Sequence, residues 1–267
     1  MVATNAVRVG TGNVSAGTSI FGMVVMERQL SRVYDAIDVV TTPDGAPVAM
    51  VHCNNCSSEI NGWMELFGEL LEAFGTKVDK GTLYTTLFER AMQGEKDGGG
   101  LLAYNYLSGE HITELTEGRP LLVRTPDARL NLDNFMRVQL LTSMGALKKG
   151  MDILIRKEGV QVTNITGHGG LFKTKDVAQS ILAGALNTPV SVMETAGEGG
   201  AWGMALLAGY RLRHSGRSLA DYLDEAVFGT VKRYTLTPVQ EDAAGFDAFM
   251  KTYEAGLAIE REAVKVL

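Results

Sequence analysis

The chain has 267 residues, of which 45% are hydrophobic and 21% charged, a balance suited to one large soluble domain or two small ones. A net charge of −6, without a basic run interleaved with aromatics, argues against a nucleic-acid partner. No apolar run approaches the roughly 20 residues of a membrane span, the N-terminus has no signal layout, and Cys53 and Cys56 are the only cysteines, so the expectation is a reducing cytoplasm with neither membrane partner nor disulfide framework.

In chain order, Asn13 to Ser19 and Ile20 to Met26 read as two strands joined at a bend, with Gly17-Thr18-Ser19 as a small-residue turn. Such a turn can gather backbone N–H groups around a phosphate, with a Thr18 or Ser19 hydroxyl as a further donor; a plain hairpin turn is the commoner meaning of the same residues. Thr41 to Pro47, with proline and Asp-Gly, is a turn between strands at Val39 and Val48–Val51, a β-hairpin. The chain then passes His52-Cys53-Asn54-Asn55-Cys56 into a helix from Ser57 or Ser58 to Phe74, with Ile60, Trp63, Met64, Phe67, Leu70 and Leu71 on its apolar face. A Cys-Xaa-Xaa-Cys at a helix start is where a redox dithiol would sit, but no second pair completes a zinc site, and buried structural thiols are the preferred reading.

A second helix is expected over Lys80 to Met92, a glycine-rich loop or hinge over Gly94 to Gly100, and a long core-packing helical periodicity over Asn131 to Glu158. An apolar run through Val160, Val162 and Ile165 reaches a glycine turn at Gly167, Gly169 and Gly170, and a helix with Val177, Ile181, Leu182, Ala185 and Leu186 follows Thr174. Strand, glycine loop, helix is an order that favours a phosphate, because glycines admit an anion close to the backbone and the helix start carries free amides. A tight turn with Thr174 as N-cap explains the same residues, and both readings stand. Pro189 to Met193 is a short apolar segment, Glu194 to Gly203 another glycine turn leading into a small-residue helix through Ala205, Leu206, Ala208 and Gly209, and Val239 to Leu267 an amphipathic packing helix.

Five segments then fall in one order: Val14-Ser15-Ala16-Gly17-Thr18-Ser19, Tyr106-Leu107-Ser108-Gly109-Glu110, Phe135-Met136-Arg137-Val138, Gly169-Gly170 with Thr174 and Val177 to Ala183, and Ala201 to Gly209. Together they resemble the C-terminal, nucleotide-binding domain of the FGGY carbohydrate kinases. His111 stands where that family usually has arginine, Gln139 near an expected acid, and His52 to Cys56 departs from the common sequence. The resemblance implies an α/β fold over residues 1–267, one lobe of the actin-like/hexokinase-like ATPase (ribonuclease H-like) fold, a mixed sheet flanked by helices. It implies an ATP site in which Gly17, Thr18 and Ser19 meet the β- and γ-phosphates and Gly169, Gly170 and Thr174 line the α-phosphate and adenosine side, with Ser58 and Gly62 as further nucleotide contacts.

By the same resemblance, ATP with Mg²⁺ phosphorylates a sugar or polyol held by an N-terminal lobe, and the catalytic aspartate precedes the segment starting at Met1. No catalytic or metal-ligating residue is therefore assigned here, and the chain alone is expected to bind ATP without phosphorylating a sugar. The sugar's identity and the oligomeric state are left open, a homodimer included. The rival readings are a catalytically silent scaffolding relative of the actin-like ATPases and a redox module on Cys53 and Cys56.

Overall fold

The computed structural model describes residues 1–194 and 199–267. Its strands are β1 (Thr11–Ala16), β2 (Ile20–Val25), β3 (Asp38–Thr41), β4 (Pro47–Cys53), β5 (Leu101–Tyr104), β6 (Leu121–Arg124), β7 (Asn164–Gly169), β8 (Val190–Met193) and β9 (Arg233–Leu236). Its helices are α1 (Ser58–Ala73), α2 (Lys80–Ala91), α3 (Leu132–Asp152), α4 (Val177–Leu186), α5 (Gly200–Arg213), α6 (Leu219–Tyr222) and α7 (Gln240–Val266). Seven strands form one mixed sheet in the order β3-β4-β2-β1-β7-β8-β9, and β5 and β6 pair separately. β1 runs parallel to β7 and β7 to β8, while the other neighbours are antiparallel.

Alternation decides which way β1 faces. Val14 and Ala16 turn into the core beside Val24, while Asn13 and Ser15 face the other side of the sheet. The turn expected between β3 and β4 is present: Thr42 Oγ1 accepts from the Ala46 N–H at 2.8 Å and donates to Asp44 Oδ1 at 2.5 Å.

Behind the sheet lies α3, capped by Asn131, whose side chain accepts from the Asn134 N–H at 2.8 Å. Every residue from Asn134 to Lys148 is buried, because the sheet packs on one side and α2, α4 and α7 close the others. The charged residues this encloses are paired. Arg137 reaches Asp242 of α7 at 3.0 Å, and Lys148 reaches Asp152 at 2.6 Å. Losing one member of such a pair leaves an uncompensated buried charge. On α7, Phe246, Phe249, Met250, Tyr253 and Leu257 are all buried, as its amphipathic pattern indicates.

Several sequence expectations need correction. The helical periodicity to Glu158 ends as α-helix at Asp152 and widens into one π-turn over Ile153–Lys157. The strand before the glycines begins at Asn164, so Val160 and Val162 precede it and Gly167 and Gly169 lie within it. On α1 only Ile60 and Met64 are buried, Trp63 and Phe67 pack against the core in part, and Leu70 is 53% exposed. The short elements β5, β6, β9 and α6 carry too little periodicity to be read from sequence. The glycine turn expected over Glu194 to Gly203 includes residues 195–198, which lie outside the described residues.

Candidate active-site cleft

The parallel pairing of β1 with β7 brings together two glycine turns that are far apart in sequence. Ala16 pairs with Gly169, so Gly17-Thr18-Ser19, the turn from β1 to β2, leaves the sheet beside Gly170. The two turns are built differently. In the first, the Gly17 amide bonds Ser19 O at 2.9 Å, and the outward carbonyls are taken by the start of α1. Cys56 N–H donates to Thr18 O at 2.9 Å, and Ser57 donates to Gly17 O through its N–H at 3.1 Å and its Oγ at 2.7 Å. Ser57 is the N-cap of α1, yet its hydroxyl serves the neighbouring turn rather than its own helix.

In the second turn, Gly169 has φ of 102°, and a Cβ there would stand 2.3 Å from Ala16 O. Only glycine satisfies both constraints. Gly170 meets nothing within 4 Å and opens a single 3-10 turn, Gly170–Lys173. That turn displaces the start of the next helix. The N-cap of α4 is Asp176, in the left-handed region at φ 64°, and Thr174 is extended one step beyond the 3-10 turn, so Thr174 is not the helix cap.

Between the second turn and the α1–α2 pair lies a cleft of about 390 Å³, within the range of small-molecule sites. Gly170, Leu171, Lys173 and Thr174 form one wall; Ser57, Ile60 and Asn61 of α1 and Lys80, Gly81, Tyr84, Thr85 and Phe88 of α2 form the others. Gly170 and Thr174 are thus brought into the cleft, and Gly17 to Ser19 adjoin it through Ser57. Ser58 and Gly62 do not line it; the adjacent helix face carrying Ser57, Ile60 and Asn61 does.

The contribution of α2 was not foreseen. Its signal was present, since Lys80, Tyr84 and Phe88 recur every four residues on one face, with Gly81 and Thr85 alongside. Asp79 caps this helix by accepting from the Thr82 N–H at 3.0 Å. Tyr84 spans the gap, its hydroxyl donating to Asn61 Oδ1 at 2.7 Å, with Lys80 Nζ 5.7 Å from its ring centroid. Burial, then the nearby Glu65 charge, raises the Tyr84 phenol and keeps it a neutral donor. The cleft wall carries two lysines and no carboxylate among its described residues, a charge balance that favours an anion.

His168, one residue before Gly169, lies with its Nε2 3.4 Å from Asn13 Nδ2 on the sheet face opposite α3. Burial lowers its imidazole pKa and favours the neutral ring. Cys53 and Cys56 are free and buried, and burial pushes both thiols up, the reverse of what a reactive dithiol requires.

The family model for the C-terminal domain of the FGGY family of carbohydrate kinases matches residues 12–212. The chain belongs to that family. FGGY kinases of known structure share its fold: a ligand-bound xylulose kinase from Lactobacillus acidophilus has TM-score 0.75 at 17% identity, over 97% of this chain and 49% of that one. Gluconate kinase from Lactobacillus acidophilus gives 0.75 at 16% identity, over 97% and 49% of the two chains, and Plasmodium falciparum glycerol kinase with ADP gives 0.67 at 17%, over 97% and 48%. The chain therefore spans about half the length of these kinases. Its architecture is the C-terminal lobe of the FGGY kinases, an actin-like ATPase fold. A search of the curated proteins finds no match.

Proposed function

We infer that this chain is the nucleotide-binding half of an ATP-dependent carbohydrate kinase, with ATP lying in the cleft between Gly170 and the α1–α2 pair. The observation that carries this reading is the cleft itself: an open glycine, two lysines and an apolar end at Ile60, Tyr84 and Phe88, beside a second glycine turn held in fixed position. The apolar end suits a base, and Gly170, Lys173 and Lys80 suit phosphate oxygens. Gly17, Thr18 and Ser19 take the terminal phosphates. Ser58 and Gly62 belong to this reading only as neighbours of the lining residues.

Phosphoryl transfer depends on positioning and on stabilising charge spread over the transferring oxygens. What this chain supplies is binding, orientation and positive charge. The Mg²⁺ implied by the family finds no protein ligand set here, since no group of three or more His, Cys, Asp or Glu side chains able to hold a metal ion occurs among the described residues. No step is assigned to it beyond arriving with the nucleotide. Among the described residues, no carboxylate lines the cleft to take the proton of a sugar hydroxyl. In this reading the chain alone binds ATP but makes no sugar phosphate. No helix among the described residues is long and apolar enough to cross a membrane, and action in the cytoplasm on a sugar or polyol belongs to the same proposal.

Titration calorimetry of this chain with a non-hydrolysable ATP analogue and Mg²⁺ tests the reading. Sub-millimolar binding, about 5 kcal/mol, is the expected result. Absence of heat at millimolar analogue would favour a silent scaffolding relative, and sugar phosphate formed by the purified chain alone would overturn the division of labour.

A further inference from the structure

Outside the cleft, the Tyr106–Glu110 segment carries a buried carboxylate. Glu110 is fully buried, and its nearest cationic candidate is His111, whose Nδ1 lies 3.7 Å from Oε1. Enclosing a carboxylate is costly unless it satisfies donors that nothing else reaches. Glu110 does so for the Asn54 and Asn55 backbone amides in the loop between β4 and α1, and shares Asn55 Nδ2 with the Ser108 and Gly109 carbonyls. Its Oε2 accepts from the Asn54 N–H at 2.8 Å, the Asn55 N–H at 3.3 Å and Asn55 Nδ2 at 3.3 Å. Around it, Asn54 Nδ2 donates to Gly109 O at 2.8 Å, Ser108 N–H donates to Asn55 Oδ1 at 3.1 Å, and Asn105 Nδ2 donates to Cys56 O at 2.9 Å.

The next residues of that loop are those that hold the first glycine turn. Asn54 and Asn55 turn their amides inward to Glu110, while Cys56 and Ser57 turn theirs outward to the carbonyls of Thr18 and Gly17. The loop is a bridge with an inner and an outer anchor. Glu110 is itself fixed, exchanging backbone bonds with Leu115 at 2.8 and 3.1 Å.

We propose that Glu110 is a positioning residue for nucleotide binding: it anchors the Asn54–Ser57 bridge, which in turn fixes the Gly17-Thr18-Ser19 turn for the terminal phosphates. This rests on the nucleotide reading of the cleft. Glu110 touches no ligand and acts through the bridge, so its effect should appear at the turn before any nucleotide is added.

The test uses this chain with Glu110→Gln, which keeps shape and one acceptor oxygen but removes the charge. Amide hydrogen exchange without nucleotide should quicken in peptides covering residues 17–20. Calorimetry with the ATP analogue and Mg²⁺ should give roughly tenfold weaker binding, as expected where neutral hydrogen bonds replace charge-assisted ones at the inner anchor. Ser57→Ala loosens the outer anchor, so in the double variant the combined loss of affinity should be smaller than the product of the single losses. Glu260→Gln is the control for general destabilisation: Glu260 is equally buried but accepts from the Arg119 N–H, so this change should leave residues 17–20 and the affinity unaltered. Should Glu110→Gln fail to fold, Glu110→Asp keeps the charge, shortens the reach and makes the same demands.

Unchanged exchange at residues 17–20, affinity within about twofold of the parent, or multiplicative effects with Ser57→Ala would each overturn the proposal. If exchange quickens but the parent binds no analogue, the failure lies in the nucleotide reading, and the role of Glu110 toward a nucleotide falls with it.

Discussion

The two glycine turns at the head of the cleft look interchangeable in sequence and are opposites in structure. At Gly169 the backbone requires glycine, because φ is 102° and Ala16 O occupies the space of a Cβ. At Gly17 no such constraint exists; the nearest atom to an added Cβ is Ser19 O at 3.9 Å. One turn is fixed by its own backbone, the other by bonds from Cys56 and Ser57. Gly170 is a third kind, unconstrained by contact and open to the cleft. The three glycines therefore meet three separate conditions: close strand approach at Gly169, an open cleft wall at Gly170, and plain turn formation at Gly17.

Substitution should separate these in order of effect. Gly169→Ala should be the most damaging, forcing a side chain into backbone at an unfavourable φ; a loss of several kcal/mol of stability, roughly 3 or more, is expected from denaturant unfolding. A stability within about 1 kcal/mol of the parent would show that β7 can move away from β1 at little cost. Gly170→Asp should leave the unfolding midpoint nearly unchanged and abolish analogue binding, since it places a negative charge where the phosphates are proposed to lie. Retained binding would move the nucleotide elsewhere in the cleft. Gly17→Ala should be the mildest, within about 0.5 kcal/mol in stability, with affinity changed no more than a few-fold. A large loss of affinity without loss of stability would show that the terminal phosphates press on the Gly17 Cα itself.

Much of the architecture was legible because long elements carry their own pattern. The apolar face of α7, the burial of α3 and the β3–β4 turn all follow from periodicity and turn chemistry. The cleft was legible in part. Gly170 and Thr174 stand in its wall, and Gly17 to Ser19 beside it, because ordered motifs survive in sequence. On α1 the cleft is lined by Ser57, Ile60 and Asn61, next to the Ser58 and Gly62 that sequence singles out, since a helix face cannot be fixed before its packing partners are known. The share of α2 and the bridge held by Glu110 were not legible, because each depends on residues that meet only across the fold.

The pairing of Thr11 with Asn164 has a consequence for how the protein is made. The glycine turns belong to segments separated by most of the chain, and they become neighbours only when β1 and β7 zip together. Such long-range pairing is slow to form, because a large loop must close before any contact rewards it. Until then neither turn has its counterpart, and a half-synthesised chain has no cleft to fill. Nucleotide binding would therefore follow the pairing of β1 with β7, and a ligand captured there would hold those two strands in register by mass action.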